Sequence, residues 1–138
     1  MAGSFSEYLE DEVIDHIFGI GTFSSPVLSI ALYTTTPTDV ADSGAEVTDA
    51  NDYARTADQA GTANWTTSAA GITKNRLNID FDPCVTNTWG AVEAMAITNS
   101  AVYDSGDQQM WGSFTPVTIA VGDTARFPAT TGIVVSLD

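Results

Sequence analysis

Asp80 and Asp82 stand two residues apart in the stretch LNIDFD, so both carboxylates project from one face of a strand. Such a pair is the equipment of a glycosidase, one group as acid and the other as base or nucleophile. Alternating acids are also the ordinary wet face of a strand in an acidic protein, and that plainer reading is preferred. His16 is the only histidine, so one chain offers neither a Ser-His-Asp triad nor a multi-histidine metal site. Cys84 is the only cysteine. A nucleophilic thiol needs a base and an electropositive setting, whereas Cys84 follows Pro83 among acidic neighbours and reads as a small buried residue. Asp39, Asp42, Glu46, Asp49 and Asp52 share one segment, but their spacing lacks the alternating acids, Gly and final Glu of an EF-hand loop. No catalytic residue, cofactor-binding residue or metal ligand is expected.

Two side-chain groups remain. Arg55, in Tyr53-Ala54-Arg55, is one of four cations and is expected to pair with Glu46 or Asp52, tying a long loop to a sheet; a subunit interface is the alternative. Trp65, Trp89 and Trp111 could stack on sugar rings. Trp89 and Trp111 each precede a glycine among apolar residues and read as core, which leaves Trp65, among Thr and Ala, as the candidate for exposure.

The elements that position these residues follow from periodicity. The helix is expected over residues 5–18. Tyr8 or Leu9, Val13 and Ile17 recur at three to four residues, Phe5, Ile14 and Phe18 widen the stripe, and Glu7, Glu10, Asp11, Glu12 and Asp15 supply the polar surface. Ser4 with Glu7 has capping-box spacing, and Gly19 is placed to end the helix. So broad a stripe must dock on the sheet or on a neighbouring subunit. It carries no Lys or Arg, unlike a membrane-surface helix.

Val27–Thr34 alternates as a strand. Residues 35–52 are long and polar, a surface loop. A short strand is expected from Tyr53 to Asp58, and 61–71 is an edge strand or a loop. Leu77, Ile79 and Phe81 should point inward from one strand, and 92–97 is apolar enough to be covered on both faces. Trp89-Gly90 marks a corner between them, where glycine permits a backbone closed to other residues. Residues 104–107 form a turn, 110–114 a strand in which Gly112 suggests a bulge or close backbone approach, and 117–121 turns at Gly122-Asp123 into a hairpin partner at 125–127. A final strand runs over 132–137. Many short strands with one leading helix indicate an all-β fold over residues 1–138, an antiparallel β-sandwich or jelly-roll-like domain.

The totals agree. The 138 residues have the length of one ordinary domain, and 43% are hydrophobic, enough for a core. Eighteen acids against four bases give a net charge of −14, which argues against binding nucleic acid or anionic membrane. One cysteine allows no internal disulfide. The N-terminus lacks a signal-peptide pattern and no apolar run reaches a membrane span, so the chain is expected to be made in a cytoplasm.

The segment order also resembles a known group. YLEDEVIDHIFG is followed by LSIALYTTTPTD, a Glu before YAR, TWG, YDSG, WGSFT, VGDTARF and an apolar last strand. This resembles small tailed-bacteriophage virion proteins, tail fibre-like, some of which act as capsid cement or decoration proteins. Glu46, Tyr53, Arg55, Trp89, Gly90, Gly112, Gly122, Asp123 and Phe127 stand at the positions that characterise the pattern. Phe81-Asp82-Pro83 departs from a usual Phe-Pro, and Ser105-Gly106 from a Gly-Gly turn.

The resemblance implies a non-enzymatic virion structural protein, a cement or decoration protein bridging capsomers. Its partners would be the major capsid protein or other virion proteins, and it would act as a homo-oligomer, a trimer for instance. The alternatives are a tail or tail-fibre component, or a carbohydrate-binding β-sandwich. The helix stripe, Trp65 and the chain ends are the expected contact surfaces.

Overall fold

The computed structural model describes residues 2–40, 43–57 and 59–137. Strand β1 (Ala2–Phe5) leads into helix α1 (Glu7–Phe18). Then come β2 (Ser29–Thr35), β3 (Ala45–Glu46), a 3-10 turn at Asp49–Asn51, β4 (Ile72–Lys74) and β5 (Ile79–Asp80). The chain closes with β6 (Gly90–Thr98), β7 (Gln108–Ile119), β8 (Arg126–Phe127) and β9 (Val134–Ser136). The fold is all-β and antiparallel, with one N-terminal helix.

One layer is a five-stranded sheet ordered β1-β7-β6-β2-β3; the other is built from two separate ribbons, β4-β9 and β5-β8. The core lies between them. Ile30, Leu32, Val92, Met95 and Ile97 from the sheet meet Ile79, Phe81 and Ile133 from the ribbon side, with Tyr53 and Trp89 closing the cluster. Alternation assigns Ala31, Tyr33, Ala94 and Ala96 to the opposite face, which is buried as well, with Trp111 packed against it. β6 is therefore covered on both faces over Ala94–Thr98, as its unbroken apolar run requires.

Several local expectations change. The helix begins two residues late because residues 2–5 form an edge strand: Phe5 pairs with Met110 and Gly3 with Gly112. The N-cap is accordingly Ser6, whose Oγ accepts from the Leu9 amide at 3.2 Å, while Ser4 lies in β1. Gly19 ends the helix in the left-handed conformation, φ 71°.

The expected strands at 110–114 and 117–121 are largely one twelve-residue strand, β7, running through Pro116. Proline lacks an N–H, but here none is needed. β1 ends its pairing at Ser113, and on the β6 side Pro116 falls within the irregularity between the Val92–Val117 and Ala94–Ser113 pairs. The expected hairpin of 117–121 with 125–127 does not form, because β8 pairs with β5, Ile79 opposite Phe127. Residues 53–57 make only an isolated bridge, Thr56 to Ile30, and Asp58 lies outside the described residues.

Leu77 does not join Ile79 and Phe81 inside; it is exposed. The chain before it is turned by Asn75, a fully buried amide. Its Nδ2 donates to Leu77 O at 2.9 Å and Pro128 O at 2.8 Å, and its Oδ1 accepts from Ile133 N at 2.9 Å.

Candidate functional site

Arg55 is the best-connected side chain among the described residues. Its Nε and Nη2 donate to Glu46 Oε1 and Oε2, each at 2.7 Å, a bidentate pair in which the two side chains are 4% and 7% exposed. Its Nη1 reaches Ser100 O at 2.9 Å, Ser105 O at 2.7 Å and Thr98 Oγ1 at 3.3 Å. The Tyr53 hydroxyl donates to Glu46 Oε1 at 3.1 Å and accepts from the Leu32 amide at 2.8 Å. One guanidinium thus joins β3, the end of β6 and the 99–107 loop, with Tyr53 fixing the carboxylate against β2.

Burial works against the charge of Arg55, but the hydrogen bond and charge of Glu46 outweigh it and raise its pKa. Burial, and after it the Glu46 charge, hold the Tyr53 phenol far above the usual tyrosine range. The arrangement is closed to solvent and fully engaged, so it can lock loops and offers no reactive group.

Trp89 lies beside this knot. Its ring meets Tyr53 edge-on at 5.4 Å between centroids, and Phe81 at 6.4 Å. Its indole N–H donates to Asn51 O at 3.0 Å, binding the 3-10 turn. Gly90 takes φ 83° where β6 begins. Phe127 extends the aromatic group through Phe81 at 6.4 Å.

Gly122 and Asp123 form a turn: Asp123 Oδ2 accepts from Ala120 N at 2.9 Å, and Gly122 N donates to Cys84 O at 2.7 Å. Gly112 sits opposite Gly3 where β1 and β7 approach closely. A Cβ on Gly3 would lie 2.9 Å from the Gly112 Cα.

The tryptophans make no exposed row. Trp89 is buried, Trp65 is half-buried with its N–H donating to Gln59 O, and Trp111 is half-buried with its N–H 3.1 Å from Asp39 Oδ1. Asp80 is held by Arg126, whose Nε and Nη2 donate to its two oxygens on the surface of the β5–β8 ribbon. Cys84 is buried and donates to Asn87 O at 3.0 Å. His16 Nδ1 accepts from the Phe23 amide at 3.4 Å. Among the described residues no three His, Cys, Asp or Glu side chains gather as a metal site; Asp42 of the acidic loop lies outside them.

What the molecule exposes is an apolar helix end. The expected stripe splits in two. Leu9 is buried and Val13 half-buried, whereas Ile14, Ile17 and Phe18 are exposed, the last two at 70% and 75%. Sequence reasoning treated these residues as one docking stripe. On a helix of 100° per residue, however, Leu9 and Val13 point away from Ile14 and Phe18. Glu10, one turn before Ile14, lines a groove of about 270 Å³ with Phe5, Met110, Val134 and Leu137.

No curated protein matches the chain significantly. A family model does, over residues 4–134, from β1 into β9. The chain belongs to that family, described as Podophage GP4 fiber I protein gp80, and is a structural component of a bacteriophage virion.

Proposed function

We propose that the chain is a non-enzymatic fibre component of the virion, acting by assembly with other virion proteins and with copies of itself. The observation that carries this reading is the contrast between its two kinds of surface. Its most polar constellation, Arg55 with Glu46 and Tyr53, is buried and spent on holding loops, while its large apolar side chains at the end of α1 are left in water. A rigid body with an unburied apolar face is built to fit against a neighbour.

The family description supports a fibre location more directly than the capsid-cement role that the sequence pattern also implies. In a fibre the partners are tail proteins; in a cement role the major capsid protein would take their place. Purified particles labelled with antibody against the chain and imaged by electron microscopy test this. Label on the tail supports the fibre reading, label over the capsid replaces it with the cement reading, and no label on intact particles rejects both.

A further inference from the structure

We propose that the exposed face of α1 docks on the outer face of the β4–β9 ribbon of a second copy of the chain. The inference rests on the fibre reading and names one contact by which copies would assemble.

The exposed face of α1 has two halves. Glu7, Glu10 and Asp11 occupy its first turns, and Ile14, Ile17 and Phe18 its last. After the Gly19 cap the chain folds back, with the amides of Ile20 and Gly21 both bonded to Asp15 O, and Ile20 extends the apolar end at 75% exposure. Together these four large apolar side chains are at least half exposed, the kind of surface feature that often serves an interaction.

The ribbon carries the matching chemistry. Strand alternation turns Thr73 and Val135 inward and leaves Ile72, Lys74 and Val134 on the outer face, with Lys74 opposite Val134 in register. Leu77 and Leu137 are exposed beside it. Among the described residues neither Lys74 nor Arg76 is in an ion pair, and Arg76 Nη1 donates only to a backbone carbonyl, Thr62 O, at 2.8 Å. Of the four cations, Arg55 is paired with Glu46 and Arg126 with Asp80.

The spacings agree as well. On the helix, Ile14 lies four residues, about 6 Å, from Glu10. On the ribbon, Ile72 lies two strand residues, roughly 6.6 Å, from Lys74. An acidic-then-apolar helix face therefore meets a basic-and-apolar strand face, with Lys74 and Arg76 set against two of the three acids. In a chain of net charge −14, a contact that sets acids against the remaining cations works against the general self-repulsion.

The test is the oligomeric state of the full chain, followed by analytical ultracentrifugation over a range of concentrations. Wild type should self-associate. Glu10→Lys with Asp11→Lys, and separately Lys74→Glu with Arg76→Glu, should each weaken association at least tenfold. An equimolar mixture of the two double variants should recover it, because each supplies the face that the other lacks. All changes are on exposed side chains, and unchanged thermal melts show that the fold survives.

A wild type that stays monomeric overturns the proposal. So does association indifferent to these charges, or a mixture that fails to recover. Particle labelling is read separately, so a monomeric chain still found on the tail would sink this contact and leave the fibre reading standing.

Discussion

Arg55 and Glu46 face each other through two parallel hydrogen bonds of 2.7 Å, in a site with almost no solvent contact. Breaking such a pair from one side leaves the other charge buried and uncompensated, which costs about 3–5 kcal/mol. Arg55→Ala also takes the donor from Ser105 O, while Ser100 O keeps the Thr98 hydroxyl. We expect Arg55→Ala and Glu46→Ala each to lower stability by roughly 3 kcal/mol or more in urea titrations. The double variant should lose less than the sum, because neither charge is then orphaned. Arg55→Lys should not rescue, since an ammonium cannot span both carboxylate oxygens.

Tyr53 gives the knot a signature at high pH. Its pKa is raised in the folded chain by burial first and the Glu46 charge second, while in the unfolded chain it ionises near the ordinary tyrosine value of about 10. A group raised on folding contributes stability that is complete below the unfolded pKa and is lost as pH climbs above it. Stability should therefore begin to fall above a pH of about 10. Tyr53→Phe should start lower, by about 1–2 kcal/mol, for the two lost hydrogen bonds. Its decline above that pH should be shallower by one proton, which chemical denaturation across pH 8 to 11 would measure.

The parts of this knot are legible in the chain because scarcity narrows the choices. With four cations in 138 residues, an arginine two residues after a tyrosine and shortly after several acids has to find a carboxylate, and Glu46 and Asp52 are the candidates. Glu46 wins because β3 pairs it with Tyr33 and so places it on the sheet, whereas Asp52 caps the 3-10 turn with φ 57° on the exposed side. Less legible are the pairings that depend on distant chain. Nothing in Arg126-Phe127 distinguishes β7 from β5 as its partner, and the three short residues of β1 before Phe5 carry no hydrophobic period. Asn75 reads as a turn residue, but its burial between Leu77, Pro128 and Ile133 is decided by tertiary contacts. The exposure of Ile14, Ile17 and Phe18 was hidden for a related reason: periodicity marks a stripe as apolar and is silent on which part of it has a neighbour.

The edge strand offers a sharper steric test. A Cβ on Gly3 would lie 2.0 Å from Trp111 O, which no rotamer relieves because both groups are backbone. Gly3→Ala should push β1 off β7 while leaving the core intact. Hydrogen exchange should then speed up at the β7 amides facing β1 within Met110–Ser113, with little change across β2 and β6. Gly122→Ala is the contrast. No atom lies within 4 Å of the added methyl, so only the backbone cost of φ 98° remains, about 1–2 kcal/mol spread over the whole unfolding transition.

The surface ion pair separates the structural reading from a hydrolytic one. Asp80 and Arg126 are both well exposed, so water competes for each. Asp80→Asn with Asp82→Asn should leave the melting temperature close to wild type, and particles carrying the double variant should retain the chain at normal copy number. A glycosidase would lose its acid and its nucleophile together, so a defect confined to turnover of a host polysaccharide, with assembly unharmed, would falsify the non-enzymatic reading.

Ser6 ties the helix to the sheet, and it joins stability to assembly. It is fully buried; its Oγ accepts from Leu9 N and donates to Gln108 O, and its amide donates to Gln109 O at 3.0 Å. Ser6→Ala removes the cap and leaves the Leu9 amide and Gln108 carbonyl each short of a partner, at a cost of about 1–2 kcal/mol. The amides of the first turn should exchange faster, and the acidic half of the exposed face, Glu7 to Asp11, should lose its fixed position. Self-association should weaken in parallel although no interface side chain has changed. Association that stays at wild-type strength while the first turn frays would mean that the apolar half, Ile14 to Phe18, holds the contact without help from the acids.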